Sequence, residues 1–427
     1  MKKALFLISF ILFQLNLFSQ NIIFKKLSNG LRYCYYKADS DVSSVVVLVR
    51  AGSIFDPKGK FGLSHFLSSA LKRCGTEKYS PSKLMDLLDK YGIEVFSSSG
   101  KDFLVIGMKF INKNKVQALD IFSQILFHPR FDFQEFESLK KEIIGDIRTL
   151  KNDNDYLAIH QGFVSLISSK QYSHSSIGEI NDIKRISVLD LKSFYKKYFV
   201  ANNMIFSFYG KFSKSEIMNL LNKVKQTSLE KIKEPQLKFA KKGKKVILTK
   251  KLKQSYIYIL FPSFGLKDKE IYATKVLAFI LGGSLIGILP EKIRKEKGLA
   301  YSIFSTNYSM VHGGVFIIGL QTENRNCNRA IHTIIDVMRE LKVKGISTKQ
   351  VNLAKNYFSG NIYLRLQSST QIALALAQGI YFNKKLPPWK YDERMYQKVT
   401  SAEINSVLKR IFDENKMVIS IVGNIKK

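Results

Sequence analysis

The chain repeats itself, and that repeat limits the folds open to it more than any single motif does. Residues 187–212 read SVLDLKSFYKKYFVANNMIFSFYGKF, and residues 400–425 read TSAEINSVLKRIFDENKMVISIVGNI. The two align without a gap: Leu191 with Ile404, Phe194 with Val407, Tyr198 with Ile411, Met204 with Met417 and Gly210 with Gly423. Each copy reads as an amphipathic helix followed by a short apolar strand that stops at glycine. Ser187 with Asp190, and Thr400 with Glu403, stand at capping-box spacing, which fixes where each helix begins.

The likeness continues upstream. Ala118–Phe122 and Ala330–Ile334 open comparable helices, preceded by strands at Phe103–Phe110 and Gly314–Leu320. The runs SSVVVLVR (Ser43–Arg50) and SYIYILFP (Ser255–Pro262) open the two halves as strands. The expected fold is therefore α+β: two similar halves of roughly 200 residues, each a mainly antiparallel sheet covered by helices on one side. The expected boundaries are 21–230 for the first half and 251–427 for the second, joined by a Lys-rich linker at 231–250. Val276–Leu289, with Gly282 and Gly283, reads as a buried helix followed by a glycine turn.

At the N-terminus Lys2 and Lys3 precede an apolar run from Ala4 to Phe13, extended to Phe18, and Ser19 offers a small residue for cleavage. This pattern predicts a signal peptide at 1–20 and an exported protein, periplasmic or extracellular. The run is short for a membrane span. Three scattered cysteines and six scattered histidines give no disulfide framework and no CxxC site. Lys and Arg number 68 against 34 Asp and Glu, a formal net charge of +34. Such a balance reads first as a solvated, Lys-rich surface, and beyond that favours an acidic protein partner or an anionic membrane surface. It does not amount to specific nucleic-acid binding, because the lysines are spread along the chain with no zinc finger or aromatic RNA-binding signature.

The first half carries Arg50-Ala-Gly-Ser-Ile-Phe-Asp-Pro57, then Gly62-Leu-Ser-His-Phe-Leu-Ser-Ser-Ala-Leu71, then Gly75-Thr76; further on come Gly178 in SSIGEINDI and Gly298-Leu-Ala-Tyr301. In these segments, taken in order along nearly the whole chain past the leader, the sequence resembles the pitrilysin/insulinase superfamily of zinc metallopeptidases, the inverzincins. That superfamily includes mitochondrial processing peptidase. The resemblance implies a clamshell of two halves. It also implies a helix bearing H-x-x-E-H, whose two histidines at i and i+4 share a zinc while the glutamate activates bound water. A further carboxylate downstream completes three protein ligands.

This sequence departs from that pattern. The matching residues are His65-Phe66-Leu67-Ser68-Ser69. Ser68 stands where the general base belongs and Ser69 where the second imidazole belongs. Asp146, 77 residues past Ser69, falls at the third ligand position, with Glu142 as an alternative register. One imidazole and one carboxylate make two ligands at most, so no catalytic residue, no metal site and no cofactor of its own are expected; zinc would come only from a partner subunit. His65, Ser69 and Asp146 are the degenerate metal positions.

The second half retains Arg294 and Tyr301, seven apart in EKIRKEKGLAYS. In active relatives such a pair contacts substrate backbone and helps stabilise the tetrahedral oxyanion. The resemblance implies that Arg294 and Tyr301 bind peptide substrate, with the chain acting as the zinc-less subunit beside a zinc-bearing homologous peptidase subunit. Two other expectations compete: a stand-alone peptide-binding or scaffold protein of the same fold, and an active zinc peptidase with a rebuilt site.

Overall fold

The computed structural model describes residues 21–224 and 232–425. The expected signal peptide at 1–20 lies outside the described residues, as does the first residue of the expected linker. Two mixed sheets form the framework. The first has the order β1 (Ile22–Lys26), β2 (Arg32–Lys37), β6 (Met204–Gly210), β3 (Val42–Val49), β5 (Leu104–Ile111) and β4 (Glu94–Ser99). The second has the order β7 (Lys244–Thr249), β11 (Val418–Gly423), β8 (Gln254–Ser263), β10 (Gly313–Glu323) and β9 (Ser302–Met310). Only β2 against β6 and β7 against β11 run parallel. The sheets correspond strand for strand from β2 and β7 onward; β1 has no counterpart in the second sheet among the described residues.

The duplication reaches individual hydrogen bonds. Ser43 Oγ donates to Asn112 Oδ1 at 2.6 Å, and Ser255 Oγ donates to Asn324 Oδ1 at 2.7 Å. Asn112 Nδ2 donates to the Ser40 carbonyl and Asn324 Nδ2 to the Leu252 carbonyl, each at 2.7 Å. The strand-ending glycines lie against the same serines. A Cβ would fall 2.2 Å from Ser43 Oγ at Gly210 and 2.3 Å from Ser255 Oγ at Gly423, so no side chain fits either position.

The helices needed below are α1 (Leu63–Arg73), α2 (Lys115–Phe127), α3 (Phe133–Asn152), α4 (Asn154–Leu166), α5 (Val188–Tyr198), α6 (Ile271–Gly282), α7 (Cys327–Lys344), α8 (Ser369–Tyr381) and α9 (Ser401–Ile411). Both capping boxes form: Ser187 starts α5 and Thr400 starts α9. On one face of the first sheet α1 packs on β4 and β5, and α5 packs on α1; in the second sheet α6 packs on β9 and against α9.

The expectation of helices on one side only is incorrect. Val45, Val46, Val47, Leu48 and Val49 are each at most 2% exposed, so both faces of β3 are covered. The second cover comes from the other half of the sequence. α8 lies on β2, β3 and β6, with the Ser369 and Ser44 hydroxyls 2.5 Å apart. α4 lies on β8 and β11, where Ser420 Oγ donates to the Ala158 carbonyl at 2.5 Å and Tyr258 donates to Asp155 at 2.8 Å. The compact units are accordingly interleaved in sequence. One takes the described residues of Met1–Ile144, Ser176–Lys233 and Ile362–Asp392; the other takes those of Gly145–Ser175, Glu234–Asn361 and Glu393–Lys427. Contiguous boundaries at 21–230 and 251–427 do not describe them, because each doubly apolar sheet needs a second helix that its own half does not supply. Nor is 231–250 a plain linker, since β7 begins at Lys244.

Candidate functional site

The segment matching the zinc motif is α1. Its N-cap, Gly62, has no side chain to hold the first amides. Asp56 does so from six residues upstream, accepting from Gly62 N at 2.7 Å and Ser64 N at 2.8 Å. Asp56 is 3% exposed, and burial pushes its carboxyl up to about 7, against the pull of those two N–H groups and of Lys101. Lys101, also buried, is drawn down to about 8 by desolvation, while the charges of Asp56 and Asp102 oppose the shift. The turn carrying Lys101 is clamped to the loop before α1: Ser53 N donates to the Gly100 carbonyl at 2.9 Å and Ile54 N to the Lys101 carbonyl at 3.0 Å.

Along α1 the apolar positions Leu63, Phe66, Leu67, Ala70 and Leu71 are buried, which is the helical spacing of a core-facing stripe. Phe66 stacks on Phe136 of α3 with ring centroids 4.7 Å apart. His65 and Ser69, one turn apart, are half-buried. Ser68 is 2% exposed, and its Oγ donates at 2.8 Å to the carbonyl of His65. The hydroxyl at the general-base position thus spends its proton on its own helix, and a serine oxygen is in any case far too weak a base to deprotonate water near neutrality.

At the other end of α1, Arg73 takes hold of two carboxylates on α3. Its Nε and Nη2 donate to Glu135 Oε1 at 3.1 and 2.7 Å, and Nη1 donates to Glu142 Oε2 at 2.5 Å. Glu142 is therefore held in an ion pair. Asp146 is exposed and belongs to the other compact unit. Among the described residues no group of three or more His, Cys, Asp and Glu could hold a metal ion. The residues at the motif do not fit a catalytic zinc, which needs three good ligands and a base beside one open position. The Arg73 clamp and the Asp56 cap carried no motif signal in the sequence; both depend on partners brought in by folding.

The retained pair lies in the second unit. Arg294 lies in the last turn of a helical segment, Pro290–Glu296, wound more loosely than an α-helix. Gly298 then turns the chain at φ 58°, and Leu299 and Ala300 are buried. Leu299 is fixed from both sides: its N–H donates to the Ile293 carbonyl at 2.8 Å, and its carbonyl accepts from Thr322 Oγ1 at 2.5 Å. This anchoring presents Tyr301 at 84% exposure, with the Arg294 guanidinium 5.3 Å above its ring. Neighbouring charges pair among themselves, Lys292 with Glu296 and Lys295 with Glu291. Arg294 is in no ion pair among the described residues, so its fork of donors faces outward beside a tyrosine hydroxyl.

Residues 34–163 match the model of the insulinase peptidase family, M16, and residues 185–358 match the model described as the peptidase M16 inactive domain. The chain is 26% identical over 392 residues to a Helicobacter pylori protein named non-peptidase homolog YmxG, covering 88% of each. It is 25% identical over 338 residues to a Bacillus subtilis protein named uncharacterized zinc protease YmxG, covering 76% of this chain and 80% of that one. Its backbone is similar to the crystal structure of a peptidase M16 inactive domain from Pseudomonas fluorescens, with a TM-score of 0.86 and 21% identity over 94% of this chain and 98% of that one.

Proposed function

The chain belongs to the insulinase (M16) peptidase family, in the non-catalytic form of that fold, and on that premise we propose that it is the exported, zinc-less subunit of a two-chain peptidase. One contrast carries the reading. The hydrolytic helix keeps its fold but has its base position turned into its own backbone, whereas Arg294 and Tyr301 remain exposed and stacked. In this role a zinc-bearing homologous subunit supplies the metal and the activated water. Arg294 and Tyr301 offer a charged fork and a neutral O–H donor to the peptide carbonyl on which negative charge develops. The excess of cations draws in an acidic partner or acidic peptide and speeds the encounter in a salt-dependent manner. The leader-like residues 1–20 support an extracytoplasmic location.

The test is reconstitution. The purified chain is assayed for peptide cleavage alone and with a homologue from the same source that carries an intact H-x-x-E-H. Alone it is expected to cleave nothing and to retain no stoichiometric zinc. In the mixture activity appears, and Arg294→Ala or Tyr301→Phe lowers kcat by about a hundredfold to a thousandfold, the range for losing an oxyanion donor. Cleavage by the isolated chain that His65→Ala abolishes would refute the proposal in favour of a rebuilt active site. Peptide binding without activity in any mixture would refute it in favour of a stand-alone scaffold.

A further inference from the structure

The two sheets differ at one edge. In the first, the outer edge of β2 is paired by β1, antiparallel from Ile22↔Tyr36 to Lys26↔Arg32, after the tight turn closed by Leu27 N–H to the Leu31 carbonyl at 2.8 Å. In the second, β7 takes the place of β2 and is likewise parallel to its inner neighbour. Its outer edge has no strand among the described residues. The chain ahead of β7 does not fold back as β1 does. It is tied elsewhere: Ala240 N donates to the Leu166 carbonyl at 2.8 Å, Ser168 N donates to the Lys238 carbonyl at 2.9 Å, and Tyr172 donates to the Pro235 carbonyl at 3.2 Å. The missing cover shows in burial. In β2, Tyr33, Cys34 and Tyr35 are each at most 7% exposed, whereas no residue of β7 is buried and Leu248 is 38% exposed.

Around this edge the sequence places Lys241, Lys242, Lys244, Lys245, Lys250, Lys251 and Lys253. Lys245 and Lys250 are hydrogen-bonded to asparagines. The other five are in no ion pair among the described residues. Lysine on an edge strand deters pairing with like, basic strands. It does not deter an acidic one; it selects for it.

We infer that the outer edge of β7 is a docking edge for an extended acidic segment of a partner polypeptide, which adds antiparallel to β7 as β1 adds to β2, with its carboxylates set among these lysines. Main-chain bonds supply the affinity and the lysines the selectivity. The inference stands apart from the subunit reading, since it uses neither Arg294 nor Tyr301.

The full chain is titrated with a fluorescent ten-residue peptide of alternating Glu and Val, and with its Lys-for-Glu counterpart. The acidic peptide is expected to bind and the basic one not to. Charge reversal of Lys244 and Lys251 together should weaken binding about tenfold or more, and raising salt should do likewise. N-methylation of alternate peptide residues separates strand pairing from a diffuse charge effect. In an antiparallel strand alternate residues bond to one neighbour, so one methylated set should lose about tenfold or more and the other little. Amide exchange should slow at residues 244–249. Arg294→Ala should change none of this. No binding of the acidic peptide, equal loss for the two methylated sets, or protection that falls outside β7 would overturn the inference. So would binding to phosphatidylglycerol vesicles without peptide binding, or self-association through β7 in place of peptide binding.

Discussion

Asp56→Asn probes the cap that starts the motif helix, and its cost should fall as pH rises. Asp56 is buried, accepts two backbone N–H groups and has its carboxyl raised to about 7. An unfolded aspartate titrates near 3.9. The folded chain therefore binds the proton more tightly than the unfolded chain between about pH 4 and 7, and stability falls as pH rises through that window. A displacement of about three pH units corresponds to about 4 kcal/mol. Lys101 behaves in the opposite sense. Its folded value of about 8 lies below the unfolded one near 10.4, so the unfolded chain holds more protons and stability returns above pH 8. Wild type should be least stable, as far as this pair is concerned, near pH 7 to 8. Asparagine cannot ionise. At pH 5 it replaces a neutral acid and should cost about 1–3 kcal/mol, because its amide cannot accept from both backbone donors. At pH 8 the wild type holds a buried carboxylate and the variant does not, so the cost should vanish or become a gain. The assay is urea unfolding of both proteins at pH 5 and pH 8, read as a shift in midpoint at constant slope. Taking the difference between the two proteins cancels the titration of groups that do not interact with Asp56, leaving that of Asp56 and of the Lys101 charge beside it. A variant that loses more at pH 8 than at pH 5 would show that the N–H bonds and Lys101 outweigh burial, and would refute the reasoning.

Three further outcomes follow from the geometry. Ser68→Glu with Ser69→His rebuilds the motif letter by letter but should give weak zinc binding and no cleavage. Adding Arg73→Ala, which frees Glu142 from its ion pair, should tighten zinc about tenfold or more by isothermal titration. Gly178→Ala should cost about 1–3 kcal/mol in thermal unfolding, because Gly178 sits at φ 90° and a Cβ would lie 2.2 Å from the Phe61 carbonyl just before α1. Tyr301→Ala should leave the melting temperature within about 1 °C of wild type, since an exposed surface side chain contributes little to folding. A large drop in melting temperature would mean that Tyr301 holds the fold rather than serving a ligand.

The repeat alone determined most of the architecture. Helix starts at Ser187 and Thr400, the strand ends at Gly210 and Gly423 and the α+β character follow from local chemistry: side-chain caps, helical spacing and close backbone approach. The absence of a base at Ser68 and of an imidazole at Ser69 is also plain from residue identity. What tertiary structure decided is the pairing of elements distant in sequence. The run Val45–Val49 is apolar at every position, which the expectation of one-sided cover passed over, and nothing local said that the second cover would be α8, more than 300 residues away. Asp56 became a cap, Arg73 a clamp on Glu142 and β7 an uncovered edge for the same reason. Periodicity reports which face of an element is apolar, but which partner buries that face depends on the whole chain's packing, and that is settled only when it folds.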